Sequence, residues 1–184
     1  MESDYETNVF LNCPLDATYR PLLDAIVFAI YDCGFVARAA LEVTDASQVR
    51  IDKISGIIAD CKFGVHDICR TEIDLVTGLP RFNMPLELGL FLGAKRFGSG
   101  KQKLKNCLVL DVERYRYQKF MSDIAGQDIA AHDGTPEAAI RAVRDWLSDA
   151  QHPREGSQAV PRCSSATGPF APICPRCASG AVSS

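Results

Sequence analysis

The sequence lacks the features that would place the chain in a membrane, outside the cell or on a nucleic acid. No apolar run reaches the roughly 18 residues that a membrane-spanning helix needs. The first four residues, Met1–Asp4, are acidic and lead into no apolar core, which is untypical of a signal peptide. Acidic residues outnumber basic ones by 23 to 20, so bulk electrostatic attraction to nucleic acid is not expected. We therefore expect a cytoplasmic protein without a membrane or nucleic-acid partner.

The eight cysteines do not follow the pattern of a disulfide-bonded extracellular domain. Five lie at irregular spacing in or beside apolar stretches of the first 110 residues, and we interpret them as reduced, mostly buried thiols. The other three, Cys163, Cys174 and Cys177, include a Cys-x-x-Cys pair for which the nearest fourth zinc ligand is His152. A tail with incidental cysteines is the simpler interpretation, and no metal site is predicted.

Composition divides the chain near Ala150. Residues 151–184 contain five of the ten prolines, six serines and three glycines, with few large apolar side chains and no periodic segment. This composition predicts a disordered tail. Residues 1–150 form one predicted α/β domain that is long enough to bury a core.

Within residues 1–150, short apolar runs alternate with segments of helical periodicity. The predicted strands cover residues 8–12, 35–38, 63–66, 106–110 and 128–131, and the predicted helices cover 18–33, 47–62, 83–97, 114–124 and 135–149. Asp45 or Ser47 is the predicted N-cap of the second helix. This alternation is typical of a doubly wound parallel sheet, and five strands suit the flavodoxin-like order 2-1-3-4-5. Such folds bind ligands at the carboxyl ends of their strands.

The predicted helix over residues 83–97 carries one charge between residues 84 and 94, that of Glu87. A helix that is apolar nearly all round should be largely buried, and a buried carboxylate is costly unless it is paired or functional. Glu87 can be a first-turn acid that meets the helix dipole, with Asn83 as N-cap, or it can face a ligand, and both can hold together. Gly89 and Gly93 share one face, where they allow another backbone or a ligand to approach closely.

The loop after the first strand reads Asn12-Cys13-Pro14-Leu15-Asp16-Ala17-Thr18-Tyr19. Its amides, Asn12, Asp16 and Tyr19 are candidates for holding a sugar or a phosphate. The loop contains no glycine, which excludes a phosphate-binding loop of the Walker or dinucleotide type. Alternatively, Asp16 or Thr18 caps the first helix. Cys13 has no histidine evidently placed to activate it as a nucleophile.

Asp67 follows the third predicted strand and is expected to point toward the same sheet edge. His66 alternates with Val65 along the strand, and we interpret it as a structural histidine that is buried between the sheet and the helices that cover it. His66, His132 and Cys69 do not have a metal-binding spacing. A basic run is interpreted as a solvated loop, and it consists of Arg96, Lys101, Lys103 and Lys105.

Three segments together resemble the superfamily of nucleoside 2-deoxyribosyltransferase-like and TIR-like proteins, and more narrowly its small bacterial nucleotide-binding members. They are FLNCPLDATY, the strand GVHDI and the helix start NMPLELGLFLGAK, and the resemblance covers about residues 7–148. Glu87 matches the glutamate that attacks the anomeric carbon in the transferases and supports cleavage of NAD in TIR enzymes. Asp67 matches an acid that helps to hold the base or the sugar. Residues 12–14 match the ribose-binding loop, from which Cys13 departs.

The resemblance implies cleavage or transfer at the N-glycosidic bond of a nucleoside, a nucleotide or NAD, with no cofactor and no metal. It also implies a homo-oligomer. The predicted catalytic residues are Glu87 and Asp67, and the predicted substrate contacts are Asn12, Cys13, Pro14, Asp16, Tyr19, Asn83 and Met84. The alternative is a non-catalytic nucleotide-binding or TIR-like signalling module. A receiver-type regulator is disfavoured, because residues 12–14 stand where its magnesium-binding acids would be.

Overall fold

The structure of the chain, a computed structural model, describes residues 4–42, 49–73, 78–124 and 128–151. The two predicted N-cap positions of the second helix lie outside these residues, as does the predicted tail except for Gln151. Within the described part, no helix is both long and apolar enough to cross a membrane.

The described residues form an α/β domain around a sheet of five parallel strands. The strands are β1 (Asn8–Asn12), β2 (Val36–Arg38), β3 (Phe63–Asp67), β4 (Asn106–Asp111) and β5 (Ile129–Ala131). The α-helices are α1 (Arg20–Asp32), α2 (Arg50–Ala59), α3 (Asn83–Phe97) and α4 (Pro136–Gln151). The strand order β2-β1-β3-β4-β5 confirms the predicted fold class and topology.

Four predicted helices differ from the structure, and the smallest difference is in α4, which begins one residue later and ends two residues later than predicted. α1 begins at Arg20 rather than at Thr18, because Pro21 has no backbone N–H to donate to the preceding turn. Helical hydrogen bonding starts with Leu23 donating to the Tyr19 carbonyl oxygen. α2 ends at Ala59, three residues early, because the backbone amide of Lys62 already pairs with a neighbouring segment. The predicted helix over 114–124 is two 3₁₀ turns, Arg116–Lys119 and Ser122–Ile124, preceded by Tyr115 in the left-handed region.

The core lies on both faces of the sheet. All five residues of β1 and of β3 are buried, as expected for central parallel strands that are covered on two sides. On one face, Val9 packs with side chains of α1 and α4, and on the other face Phe10 packs with side chains of α2 and with Phe91 of α3. This arrangement leaves the carboxyl ends of the strands open at one edge.

α3 is much less buried than the sequence predicts. Only Glu87, Leu88 and Phe91 are buried. Phe97 is 87% exposed, and Leu86 is 55% exposed. The prediction is wrong because the sheet covers one side of α3, whereas the apolar residues continue around to the opposite side.

Lys105 corrects the interpretation of the basic run as a solvated loop. Its side chain is buried, with 1% of its surface exposed, and Nζ donates hydrogen bonds to the carbonyl oxygens of Ile58, at 2.5 Å, and Cys61. The ammonium also lies 4.6 Å from the ring centroid of Phe91 and 5.5 Å from that of Tyr5. The cation therefore pairs with carbonyl groups at the C-terminal end of α2, where the helix dipole favours positive charge.

Replacing Lys105 by alanine is expected to lower the free energy of unfolding by about 2–4 kcal/mol, because it opens a cavity and removes both hydrogen bonds. The exposed Lys103 is the matched control, and Lys103→Ala should change it by less than about 0.5 kcal/mol. Urea unfolding of both variants measures the difference. Equal midpoints for the two variants would contradict this role of Lys105.

Candidate functional site

A cavity of about 600 Å³ opens at the carboxyl ends of β2, β1 and β3, the edge where doubly wound folds bind ligands. Seven of the nine predicted site residues line it. They are Asn12, Cys13, Pro14, Asp16, Asn83, Met84 and Glu87. The other two, Asp67 and Tyr19, do not reach the cavity. The loop after β1 forms one wall, and the start of α3 forms another.

Glu87 is a buried carboxylate in the cavity wall, with 5% of its residue surface exposed. No residue of the described part donates a hydrogen bond to it. Burial raises the pKa of Glu87 above its ordinary value, and the positive charge of Arg50 acts against that rise. Glu87 is the fifth residue of α3, and the first turn contains no acid, so the prediction of a first-turn acid is wrong. Asn83 lies inside the helix and Phe82 precedes it, so the predicted N-cap is also wrong.

Asn12 joins the end of β1 to the start of α3. Its Nδ2 donates to the carbonyl oxygen of Met84 at 2.8 Å and to Nδ1 of His66 at 3.0 Å. A carbonyl oxygen can only accept, which fixes the orientation of the Asn12 amide and leaves His66 protonated at Nε2. Burial lowers the pKa of His66 to about 3, so this histidine stays neutral and structural. Asn12 thereby positions the segment that carries Glu87.

Asp16 organises the loop that leads into α1. Its Oδ1 accepts hydrogen bonds from the amide of Thr18 at 3.1 Å, the Thr18 hydroxyl at 2.5 Å and the amide of Tyr19 at 3.0 Å. Arg70 lies 3.2 Å from the same oxygen. The hydroxyl hydrogen bond is the main cause that lowers the pKa of Asp16. Tyr19 is the N-cap of α1 and no side chain caps this helix, so the prediction that Asp16 or Thr18 caps it is wrong. The Asp16 carboxylate instead holds the turn before α1 and lines the cavity.

Asp67 is the centre of a buried network on the face of the sheet opposite to the one where His66 packs. The Tyr19 hydroxyl donates to its Oδ2, the Cys69 amide donates to its Oδ1 at 2.9 Å, and Nε2 of His132 lies 3.1 Å from Oδ2. Asp67 and His132 are each at most 1% exposed. In this position Asp67 cannot touch a ligand in the cavity, and neither can Tyr19.

Asp67, Cys69 and His132 each offer one potential metal ligand atom, and these atoms lie within 4.8 Å of one another. However, Nδ1 of His132 accepts a hydrogen bond from the amide of Gly134 at 3.0 Å. With Nδ1 as an acceptor, only Nε2, the atom that faces Asp67, can carry a ring proton. A metal at Nε2 would displace that proton and leave none on the other nitrogen, which normally donates a hydrogen bond in a metal-bound histidine. We therefore interpret these three residues as a polar network.

Cys13 contacts the cavity but is only 4% exposed. Burial is the main cause that raises the pKa of its thiol far above the ordinary value, and the nearby charge of Asp67 adds to the rise. The thiol therefore stays protonated at neutral pH, which agrees with its dismissal as a nucleophile.

Three arginines in the cavity wall were missed by the sequence analysis. They are Arg50, Arg70 and Arg81. Each lies at or shortly before the start of a helix or in a loop at the carboxyl edge of the sheet, so a search of that edge for cations would have found them. Guanidinium groups can bind phosphate with paired hydrogen bonds. The same wall also carries three acids, Asp16, Glu72 and Glu87, and Arg70 pairs with Asp16 at 3.2 Å.

The described residues form a doubly wound α/β domain with a cavity at its strand ends. Comparison with models of known families, with curated proteins and with solved structures gives no match. The resemblance to deoxyribosyltransferase-like and TIR-like proteins therefore stays a prediction.

Proposed function

We propose that the protein breaks the N-glycosidic bond of a nucleotide or of NAD, with Glu87 as the central carboxylate. One observation carries this proposal. Glu87 is buried in the wall of a ligand-sized cavity, and no described residue donates a hydrogen bond to it. Folding alone gains nothing from such a carboxylate, whereas a developing positive charge on a bound sugar would be stabilised by it.

The chemistry follows from the position of one carboxylate. The bond between the anomeric carbon and the base nitrogen breaks, its electron pair leaves with the base, and the sugar acquires oxocarbenium character. Glu87 either stabilises this charge or forms an ester with the anomeric carbon. Water then completes a hydrolysis, or a second base completes a transfer. A purine or pyrimidine base takes up one proton as it leaves a nucleotide, whereas nicotinamide leaves the positively charged ring nitrogen of NAD as a neutral molecule and needs none. The water or the second base that completes the reaction gives up one proton.

The arginines favour a phosphorylated substrate over a free nucleoside. The positive charge of Arg50 acts on Glu87, and Arg50 lines the same cavity as Arg70 and Arg81. A volume of about 600 Å³ is typical of sites for small-molecule ligands. A nucleotide can place its phosphate against the arginines and its sugar near the carboxylate.

Replacing Arg50 by glutamine is expected to weaken binding of a nucleotide by about 10–100-fold, because a charge-assisted hydrogen bond is lost. Binding of the corresponding nucleoside should change little. Arg144→Gln is the control, because Arg144 pairs with Asp32 on the surface and does not line the cavity. Calorimetric titration with both ligands measures the effect, and equal losses for nucleotide and nucleoside would contradict the phosphate contact.

A nucleotide-binding module without catalysis is the second candidate. The observation that favours it is the position of Asp67, because the predicted second acid lies outside the cavity. Binding and base release should therefore be measured on one panel of NAD, nucleotides and nucleosides, by calorimetry and by chromatography. Release of base supports the enzyme, and tight binding without release supports the module.

A further inference from the structure

The outer face of α3 carries a continuous apolar stripe. At 100° per residue its members fall within an arc of about 100° on the helix, and none is charged. The stripe consists of Phe82, Leu86, Gly89, Leu90, Gly93 and Phe97, of which Leu90 lies at the margin, half-buried against the cluster that α2 forms with Phe10. Three of these residues are more than half exposed, namely Phe82, Leu86 and Phe97. In a doubly wound fold the outer face of a helix normally meets water and is polar, so this stripe indicates a contact with another protein surface.

The two glycines form hollows between the large side chains. A Cβ built on Gly89 or on Gly93 would meet no atom of the described chain within 4 Å, apart from the helix itself. Each glycine lowers the stability of a helix by about 1 kcal/mol relative to alanine. Their conformation does not require glycine, because neither has a positive φ. Room for a close neighbour is the remaining physical use of a glycine at these positions.

We propose that a second copy of this chain packs on the stripe, with the two α3 helices antiparallel about a two-fold axis between Gly89 and Leu90. In this register Leu86 lies opposite Gly93 of the second copy, and Leu90 lies opposite its Gly89. Phe82 lies opposite Phe97 of the second copy at each end. A two-fold interface must be complementary to itself. Here Leu86 and Leu90 of each copy both face a glycine of the other copy.

The charges at the end of α3 favour the antiparallel arrangement. Lys95 and Arg96 lie in the last turn of the helix. A parallel pair would place the two basic clusters side by side. The antiparallel pair separates them by roughly 20 Å, the length of the helix, which exceeds the screening length of about 8–10 Å at physiological salt.

The exposed area is consistent with a reversible dimer. Phe82, Leu86 and Phe97 expose on the order of 400 Å² per copy, about half of the roughly 800 Å² that each partner buries in a standard interface. Close approach at the glycines and the surrounding rim adds to this area. The interface does not depend on what the cavity binds.

Sedimentation of the full chain from about 1 µM to 1 mM tests the proposal. The mass should rise from one chain to two with concentration, and Leu86→Asp should hold it at one chain. Tyr31→Asp is the control, because Tyr31 is 56% exposed on α1, and it should dimerise like the parent. A monomer at all concentrations, or a dimer that Leu86→Asp leaves unchanged, would overturn the proposal.

A pair of size-swapping substitutions tests the register. Gly93→Leu alone should prevent dimerisation, because it sets leucine against leucine. Adding Leu86→Gly to it restores one large and one small residue at each contact and should restore the dimer. Both changes lie on the exposed face of α3, and circular dichroism checks that the helix is kept. Failure of the double variant to dimerise, with the helix intact, would overturn this register.

Discussion

Glutamine in place of Glu87 is expected to slow base release by about 10²–10⁴-fold, because an amide carries no charge to stabilise the sugar cation and is a poor nucleophile. Binding of the intact nucleotide should change far less, because the cavity keeps its shape and its arginines. Steady-state rates and calorimetric titration measure the two effects separately. The conservative Glu87→Asp variant keeps the charge but shortens its reach, so it should retain more activity than Glu87→Gln.

The stability of Glu87→Gln separates a functional carboxylate from a structural one. Because burial raises the pKa of Glu87, the protonated form is favoured in the folded state. The contribution of Glu87 to the stability of the folded protein is fully present below its ordinary pKa of 4.5. This contribution is lost as the pH rises through the higher pKa that Glu87 has in the folded state. At neutral pH the neutral amide should therefore leave the protein at least as stable as the parent. A large loss of stability would instead assign Glu87 a structural role.

The same pKa predicts how the rate depends on pH. Catalysis needs the ionised carboxylate, so the rate should fall as the pH drops through the pKa of Glu87. Because that pKa is raised, the fall should occur above pH 4.5. If the protein stays folded and the rate does not fall in this pH range, the catalytic role of Glu87 is contradicted.

Alanine in place of Asp67 is expected to lower the free energy of unfolding by about 3–5 kcal/mol, the usual cost of removing one partner from a buried charged network. The Tyr19 hydroxyl and the Cys69 amide would both lose their acceptor. The exposed Asp24, which pairs with Arg20, is the matched control, and Asp24→Ala should cost less than about 1 kcal/mol. Urea unfolding gives both values.

The Asp67 variant also tests whether Asp67 acts as the predicted second catalytic acid. If Asp67 only supports the fold, Tyr19→Phe should also lower the free energy of unfolding, but by less than Asp67→Ala does. Neither variant should then shift the pH profile of base release. Loss of base release in Asp67→Ala without loss of stability would contradict the structural role of Asp67 and assign it a catalytic role instead.

The strand order and the position of the cavity at the strand ends could be predicted because both follow from alternation along the chain. Parallel strands place their carboxyl ends at one edge, so Asn12, Asp16 and Glu87 had to lie near one another. The face reached by a side chain at the end of a strand is harder to predict. His66 and Asp67 are adjacent, yet one packs beside Phe91 and the other bonds to Tyr19, because successive side chains point to opposite faces.

The remaining features depend on contacts between residues far apart in sequence. Lys105 belongs to a basic run, and the carbonyl groups that bind it lie more than 40 residues earlier. The exposure of the outer face of α3 could not be predicted from the sequence either, because an apolar helix that is covered on all sides has the same sequence pattern as one with an uncovered face. The two cases become distinct only when neighbouring elements are placed around the helix.

The most direct test of the proposed function compares the parent protein with Glu87→Gln, side by side, for release of free base from NAD and from nucleotides at saturating concentration. We predict release by the parent and almost none by the variant, which should still bind the nucleotide. Equal release by both proteins, or nucleotide binding by the parent without any release, would contradict the assignment of Glu87 as the catalytic carboxylate.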